Sequence, residues 1–167
     1  RYELEYPTDV PEVTYRYSQE IFQFCTQIAQ VLVDCETGQV KVERLVAVHD
    51  AGKMINPGGV FGQIEGGVAQ GIGYALTEEL RVVNGLTLNA SLENYVIPMA
   101  LDIPEFEMAV LEIPEPMGAP LGAKGIAEAP IIPTAPAIRN AILDAIGKPL
   151  YQLPMSAERV LAALEAP

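Results

Sequence analysis

Two runs near the start of the chain carry the polar–apolar pattern of strands. Phe22 to Val33 favours β-forming residues, and Val40 to Val48 alternates Val and Leu with Lys, Glu and Arg. Asp34-Cys35-Glu36-Thr37-Gly38 lies between them as a turn with a glycine available for positive φ, so a hairpin is predicted. Asn56-Pro57-Gly58-Gly59 then breaks the chain before a helical pattern from about Val60 to Leu80. Asn84-Gly85 marks a further turn. Residues 90–106 read as a proline-interrupted loop, with Tyr95, Ile97 and Met99 as core contacts, and Phe106 to Ile113 reads as a strand. A helix is predicted over Pro133 to Ile146, with Thr134 able to cap it and Gly147 ending it. Ser156 is placed to cap a last short helix through Leu164. Mixed strands and helices without regular βαβ alternation predict an α+β fold. Residues 1–20 are expected to form an extended N-terminal segment and 21–167 one domain, without internal repeats or a clear linker.

The long helical segment is rich in glycine, at positions 62, 66, 67, 71 and 73. Each costs up to ~1 kcal/mol relative to alanine in a helix interior, so the segment is either closely packed or has something pressed against its backbone. Gly62, Gly66, Ala69 and Gly73 form a small-residue stripe at helical spacing. Gln63, Gly67, Gln70 and Tyr74 line up beside it. Two glutamines on such a face serve either as solvated surface or as amide donors and acceptors for a heteroaromatic ligand. A membrane-packing stripe is excluded by Gln63, Glu65, Gln70, Glu78 and Glu79.

The net charge of −12 speaks against nucleic acid or an anionic membrane as partner, because phosphate contacts need Lys and Arg. No uninterrupted apolar run reaches the ~18 residues needed to span a bilayer, and the N-terminus carries no signal-peptide pattern. The absence of an initiator Met points to a trimmed, processed or partial chain. Two cysteines, Cys25 and Cys35, and one histidine, His49, are too few for an iron–sulfur cluster or a structural zinc site from this polypeptide. Buried free thiols are expected, which fits a cytoplasmic location. His49 is expected in the core or in a hydrogen bond rather than as a ligand.

Chemistry concentrates in Gly122-Ala123-Lys124-Gly125-Ile126-Ala127-Glu128, where one carboxylate is followed by Ala129, Pro130, Ile131, Ile132 and Pro133. A carboxylate in apolar surroundings has its charged form penalised, which moves its pKa toward the range of a base or acid. Glycines let backbone approach a ligand closely. The competing reading places Glu128 in the first turn of the following helix, where it complements the helix dipole.

Asp50-Ala51-Gly52-Lys53-Met54-Ile55-Asn56-Pro57 is followed by Gly62-Gln63-Ile64-Glu65-Gly66 and Gln70-Gly71-Ile72-Gly73, with Glu128 lying 65 residues beyond Gln63. In this order and spacing, from about Ile21 to the C-terminus, the chain resembles the C-terminal part of the molybdenum-binding large subunit of the molybdenum hydroxylases, the xanthine dehydrogenase and aldehyde oxidase family. The resemblance implies the C-terminal portion of a molybdopterin-binding domain, in an enzyme that hydroxylates an N-heterocycle or aldehyde with oxygen from water. Glu128 matches the family's catalytic glutamate, a general base. Gln63 matches a glutamine that hydrogen-bonds the pterin, and Gly125, Ile126 and Ala127 match the loop beside the metal. Ala127 stands where the family usually has glycine, a departure of one methyl group that narrows the pocket or shifts the loop. Lys124 matches the motif's lysine, with a pocket role, loop stabilisation and a surface charge all open.

The implied cofactor is molybdenum–molybdopterin, often the cytosine dinucleotide form in bacterial members, with [2Fe-2S] clusters and FAD expected on partner chains or domains. The remaining large-subunit segments and iron–sulfur and FAD subunits are the expected partners, beside a small-molecule substrate. A non-catalytic remnant or interaction module of the same fold is the alternative.

Overall fold

The computed structural model describes residues 22–115 and 120–166. The predicted extended segment 1–20 lies outside the described residues. Strand β1 (Cys25–Val33) and strand β2 (Val40–Asp50) form the expected antiparallel hairpin, with a register shift between Gln30 and Val31. Its turn is built as predicted: Asp34 Oδ1 accepts from the Glu36 and Thr37 amides, and Gly38 has φ +73°.

Helix α1 spans Pro57–Leu76 and starts earlier than the sequence pattern predicts. Asn56 is its N-cap, its Oδ1 accepting from the Gly59 amide at 3.1 Å, and Pro57 takes the first helical position, where no amide is needed. The expected chain break is therefore a helix start. The helix also ends before Leu80, because the next side chains are committed elsewhere. Glu78 accepts from the Tyr95 hydroxyl at 2.8 Å, and Glu79 pairs with Arg159 at 2.7 Å while its carbonyl accepts from Asn89 Nδ2. Two short strands follow, β3 (Val82–Val83) and β4 (Leu86–Thr87), joined by Asn84 and Gly85, both with positive φ, as a two-residue hairpin turn requires.

Strand β5 (Glu105–Leu111) pairs in parallel with β2, giving the sheet order β1-β2-β5. Helix α2 (Thr134–Ile146) ends as expected at Gly147, and helix α3 (Ala157–Glu165) closes the described chain. The α+β class is as predicted. One sheet face carries the helices: Val42, Leu45 and Ala47 of β2 pack with Ile64, Val68 and Ile72 of α1, Ile138 and Ile142 of α2, and Met155. Burying each large aliphatic side chain here contributes roughly 1.5–3 kcal/mol, and Ile64→Ala would forfeit about 2–5 kcal/mol. On the other face Ile28 and Leu32 stand exposed.

Several side chains depart from expectation. Ile97 and Met99 are exposed rather than core, leaving Tyr95 half-buried on its bond to Glu78. Thr134 does not cap α2: it is fully buried in the first turn, with its hydroxyl 2.7 Å from Gln27 Oε1. Ser156 occupies the cap position of α3, but its side chain makes no capping bond. Cys25 is half-buried as a free thiol, whereas Cys35, at the hairpin tip, is exposed.

Of the predicted stripe's glycines only Gly73 is packed, where a Cβ would lie 2.7 Å from Pro98 Cδ; the close approach to the rest of the fold is made by Gly67 and Gly71 beside it. A Cβ on Gly67 would lie 2.5 Å from Pro130 Cβ, and one on Gly71 would lie 2.5 Å from Thr134 Cβ. Gly67 and Gly71 thus let α1 meet the segment entering α2 at backbone distance. Gly62 and Gly66 meet nothing within 4 Å. They border an open concavity of about 470 Å³, also lined by Glu65, Ala69, Ile103 and Phe106.

Candidate active site

The end of β2 and the loop after β5 meet through main chain. Lys53 N donates to Gly122 O at 3.1 Å and Lys124 N donates to Ala51 O at 3.0 Å, making an antiparallel bridge between Gly52 and Ala123. A Cβ on Gly52 would fall 2.3 Å from Gly122 O, so this approach requires glycine there. Leu121 and Gly122 both have positive φ, which turns the chain sharply before it runs out to Glu128.

Beneath this bridge lies an ion pair. Lys124 Nζ donates to Asp50 Oδ2 at 2.5 Å, with side chains 5% and 3% exposed. The second carboxylate oxygen, Oδ1, accepts from Gly52 N at 3.0 Å. Burial pushes the Asp50 carboxyl up. The Lys124 ammonium and the Gly52 and Ile113 amides outweigh it and hold the group below the ordinary carboxylate range. Of the roles open for Lys124, the geometry assigns loop stabilisation and excludes a surface charge.

Three residues beyond Lys124, Gln63 of α1 reaches the same loop, its Nε2 donating to Ala127 O at 2.8 Å. The opposite orientation of the amide would set two acceptors against each other, so the carbonyl determines which way it points. Gln63, Gly125, Ala127 and Glu128 are exposed, and Ile126 is half-buried against the core. The candidate residues are thus brought to one surface region. After Glu128 the chain turns inward: Ala129 and Pro130 are buried, Cys25 Sγ lies 3.6 Å from Ala129 O, and Gln27 Nε2 donates to Pro130 O at 2.8 Å.

Two expectations about Glu128 change. Helix α2 begins six residues later, so Glu128 is not in its first turn. Nor do its apolar sequence neighbours enclose it, since Ala129 and Pro130 point into the fold while the carboxylate faces out. His49 is in the core as expected, 1% exposed, but neither ring nitrogen has a hydrogen-bond partner among the described residues. Burial pushes its imidazole below the usual range, and burial pushes the Cys25 thiol up. Among the described residues no group of three or more His, Cys, Asp or Glu could hold a metal ion, and no helix is long and apolar enough to cross a membrane.

Sequence reasoning missed two residues that hold this region. Asp50 was legible only as part of a motif, not as the partner of Lys124. Gln27 is 9% exposed and ties β1 to both Pro130 and Thr134. A polar residue at an inward position of the strand alternation, with Cys25, Ala29 and Val31, was the available signal.

The comparisons give this surface a context. A family model described as molybdopterin cofactor-binding domain matches residues 2–104. The chain is 40% identical over 138 residues to the xanthine dehydrogenase molybdenum-binding subunit of Escherichia coli O157:H7, covering 81% of this chain and 18% of that protein. It is 42% identical over 137 residues to the nicotine 6-hydroxylase large subunit of Paenarthrobacter nicotinovorans, covering 80% of this chain and 17% of that protein. Among solved structures, the aldehyde oxidoreductase from Desulfovibrio gigas superposes with a TM-score of 0.80 at 37% identity, covering 86% of this chain and 16% of that one. The chain therefore spans less than a fifth of the length of each of these relatives.

Proposed function

This chain belongs to the molybdopterin cofactor-binding domain family, and from that membership we propose that it is the C-terminal part, residues 21–167, of a molybdenum hydroxylase large subunit. Its role in the assembled enzyme is to present Glu128 as general base and to complete the pterin site with Gln63, Gly125, Ile126 and Ala127. The observation that supports this reading most directly is the bond from Gln63 Nε2 to Ala127 O, which joins the two motifs carrying these residues.

The residues present fit a pterin–metal group. Gln63 has one amide hydrogen engaged with the loop, leaving its Oε1 and second hydrogen to face a heterocycle that mixes donors and acceptors. Gly62 and Gly66 offer bare backbone on α1, and Ala127 and Gly125 are small exposed loop residues, the latter with Gln23 Nε2 2.7 Å from where a Cβ would lie. When bound, that group supplies the electron-accepting centre and activates the water-derived oxygen. The chain contributes a base, with a Glu128 carboxylate oxygen taking and holding the proton released as oxygen is transferred to substrate. Because Glu128 is exposed here, the rest of the assembly has to exclude water around it.

An N-heterocycle or an aldehyde is the substrate class. Cytosine dinucleotide is the cofactor form, [2Fe-2S] and FAD partners carry the electrons away, and the location is cytoplasmic. Glu128→Gln in the assembled enzyme tests the assignment, because the amide keeps the shape but cannot accept the proton. Turnover should be nearly abolished with molybdenum and pterin content unchanged. Near-normal turnover would overturn the role of Glu128.

A further inference from the structure

We infer that the buried Asp50–Lys124 pair is a register pin for the loop that carries Glu128, so that both are positioning residues for catalysis rather than contributors to stability alone. The inference rests on the reading of Glu128 as the base, and adds to it what holds that base in place.

The first argument is where the charges sit. Both side chains are nearly fully buried, at 5% exposure for Lys124 and 3% for Asp50, and no other ion pair among the described residues is buried on both sides. Desolvating two charges offsets most of what their attraction gains, and buried pairs of this kind are often replaceable by apolar residues without loss of stability. In our reading, a pair at such a place acts through what it specifies. Asp50 is committed on several sides at once: Oδ2 to Lys124 Nζ, Oδ1 to the Gly52 amide, and the carboxylate also to the Ile113 amide. One carboxylate therefore joins the end of β2, the exit from β5 and the Glu128 loop.

The second argument is what the loop would do without it. The remaining main-chain contacts are an isolated bridge, Gly52 to Ala123, between two short extended segments, and a bond from the Glu115 amide to Gly122 O at 3.0 Å, ahead of Lys124. A pairing this short, between glycine-bearing segments, is weakly specified in register. A slip of one residue moves the chain by about 3.3 Å. Only Gly125, Ile126 and Ala127 separate Lys124 from Glu128, too few to absorb such a shift. Downstream, the Gln63–Ala127 bond is exposed to solvent, and the buried Gln27–Pro130 bond holds the chain only beyond Glu128. The ion pair is thus the buried, charge-specific contact in this loop that distinguishes one register from its neighbours.

The test uses the assembled enzyme carrying Lys124→Met, Asp50→Asn, both together, or Glu128→Gln. Four quantities are read: molybdenum content, thermal midpoint, kcat with KM, and hydrogen exchange of the peptide covering residues 121–128. Each single variant leaves a buried group unpaired and should lower the midpoint. The double variant should recover most of the midpoint, because both charges leave together. Its loop amides should still exchange at least about tenfold faster, and kcat should stay down by roughly 10²-fold, the cost of displacing a reacting group by about 1 Å, with KM little changed. Recovery of kcat together with the midpoint, or unaltered loop exchange, would overturn the inference and leave the pair a structural contact. If the double variant does not fold, the wild-type enzyme decides. The Lys124 amide should exchange as slowly as the β2 amides, and exchange at the rate of an open loop would overturn the proposal. Glu128→Gln separates the two ideas: if it retains turnover, the base assignment fails while the exchange result still reports on the pin.

Discussion

Gln63 and Ala127, 64 residues apart, are joined by a side-chain to main-chain hydrogen bond of 2.8 Å. The amide that faces the proposed pterin site is therefore oriented by the residue that precedes the proposed base. Gln63→Glu replaces the donor with an acceptor and turns this attraction into repulsion. The expected outcome is a loss of about 1 kcal/mol of local stability, with faster exchange of amides 125–128 and reduced pterin content. Hydrogen exchange and fluorescence of the released, oxidised pterin check the two effects separately.

The glycines of α1 divide into two classes that substitution should separate. Gly67→Ala and Gly71→Ala push a methyl group to 2.5 Å from Pro130 and Thr134 and should each cost about 1–3 kcal/mol. Gly62→Ala and Gly66→Ala meet open space and should stabilise the helix by roughly 0.5–1 kcal/mol. Thermal midpoints of the four variants test this contrast. Reduced cofactor content in the stabilised pair would show that the open backbone receives a ligand.

His49 makes folding sensitive to mild acid. Burial holds its imidazole below the ordinary value, so the unfolded chain binds the proton more readily. Its contribution to stability is complete above about pH 6.5, the unfolded value, and is lost as pH falls through the folded value. His49→Leu, of similar volume, removes two buried nitrogens that have no partner among the described residues. It should leave stability at pH 8 equal or higher, and flatten the decline below pH 6.5. Denaturant melts across that range are the measurement.

Asp50 acts in a lower window. Its folded carboxyl lies below the ordinary range despite its burial, so the stabilisation is complete above about pH 4 and disappears as pH falls through the folded value. The combined Asp50→Asn and Lys124→Met variant should lose this part of the acid transition while keeping the part due to His49. Thermal midpoints between about pH 5 and pH 2, compared with wild type, resolve it.

Local chemistry was readable wherever a few neighbouring residues determine the backbone. The alternation in β2, the Asp34–Gly38 turn, the Asn84–Gly85 turn and the stop at Gly147 all have this character. What sequence could not show are contacts between distant segments. Lys124 and Asp50 lie 74 residues apart, and nothing near either discloses that the other is buried beside it. Thr134 has the composition of a cap, but Gln27, 107 residues away in sequence, claims its hydroxyl. Glu128 sits in an apolar stretch, yet in a turn successive side chains diverge, so Ala129 and Pro130 go inward without enclosing it. Ile97 and Met99 are apolar residues that this chain leaves uncovered.

The parallel pairing of β2 with β5 has a consequence for how the protein is made. Arg44 pairs with Glu105, and the contacts that shape the loop join partners 64 and 74 residues apart. A nascent chain can close the β1–β2 hairpin as soon as Asp50 has left the ribosome, but the candidate site cannot be complete until Glu128 has followed. Helix α1 must meanwhile wait with Gly67 and Gly71 bare, since Pro130 and Thr134 are the last of these partners to be synthesised. Synthesis order thus makes the hairpin the early framework and the candidate surface a late product.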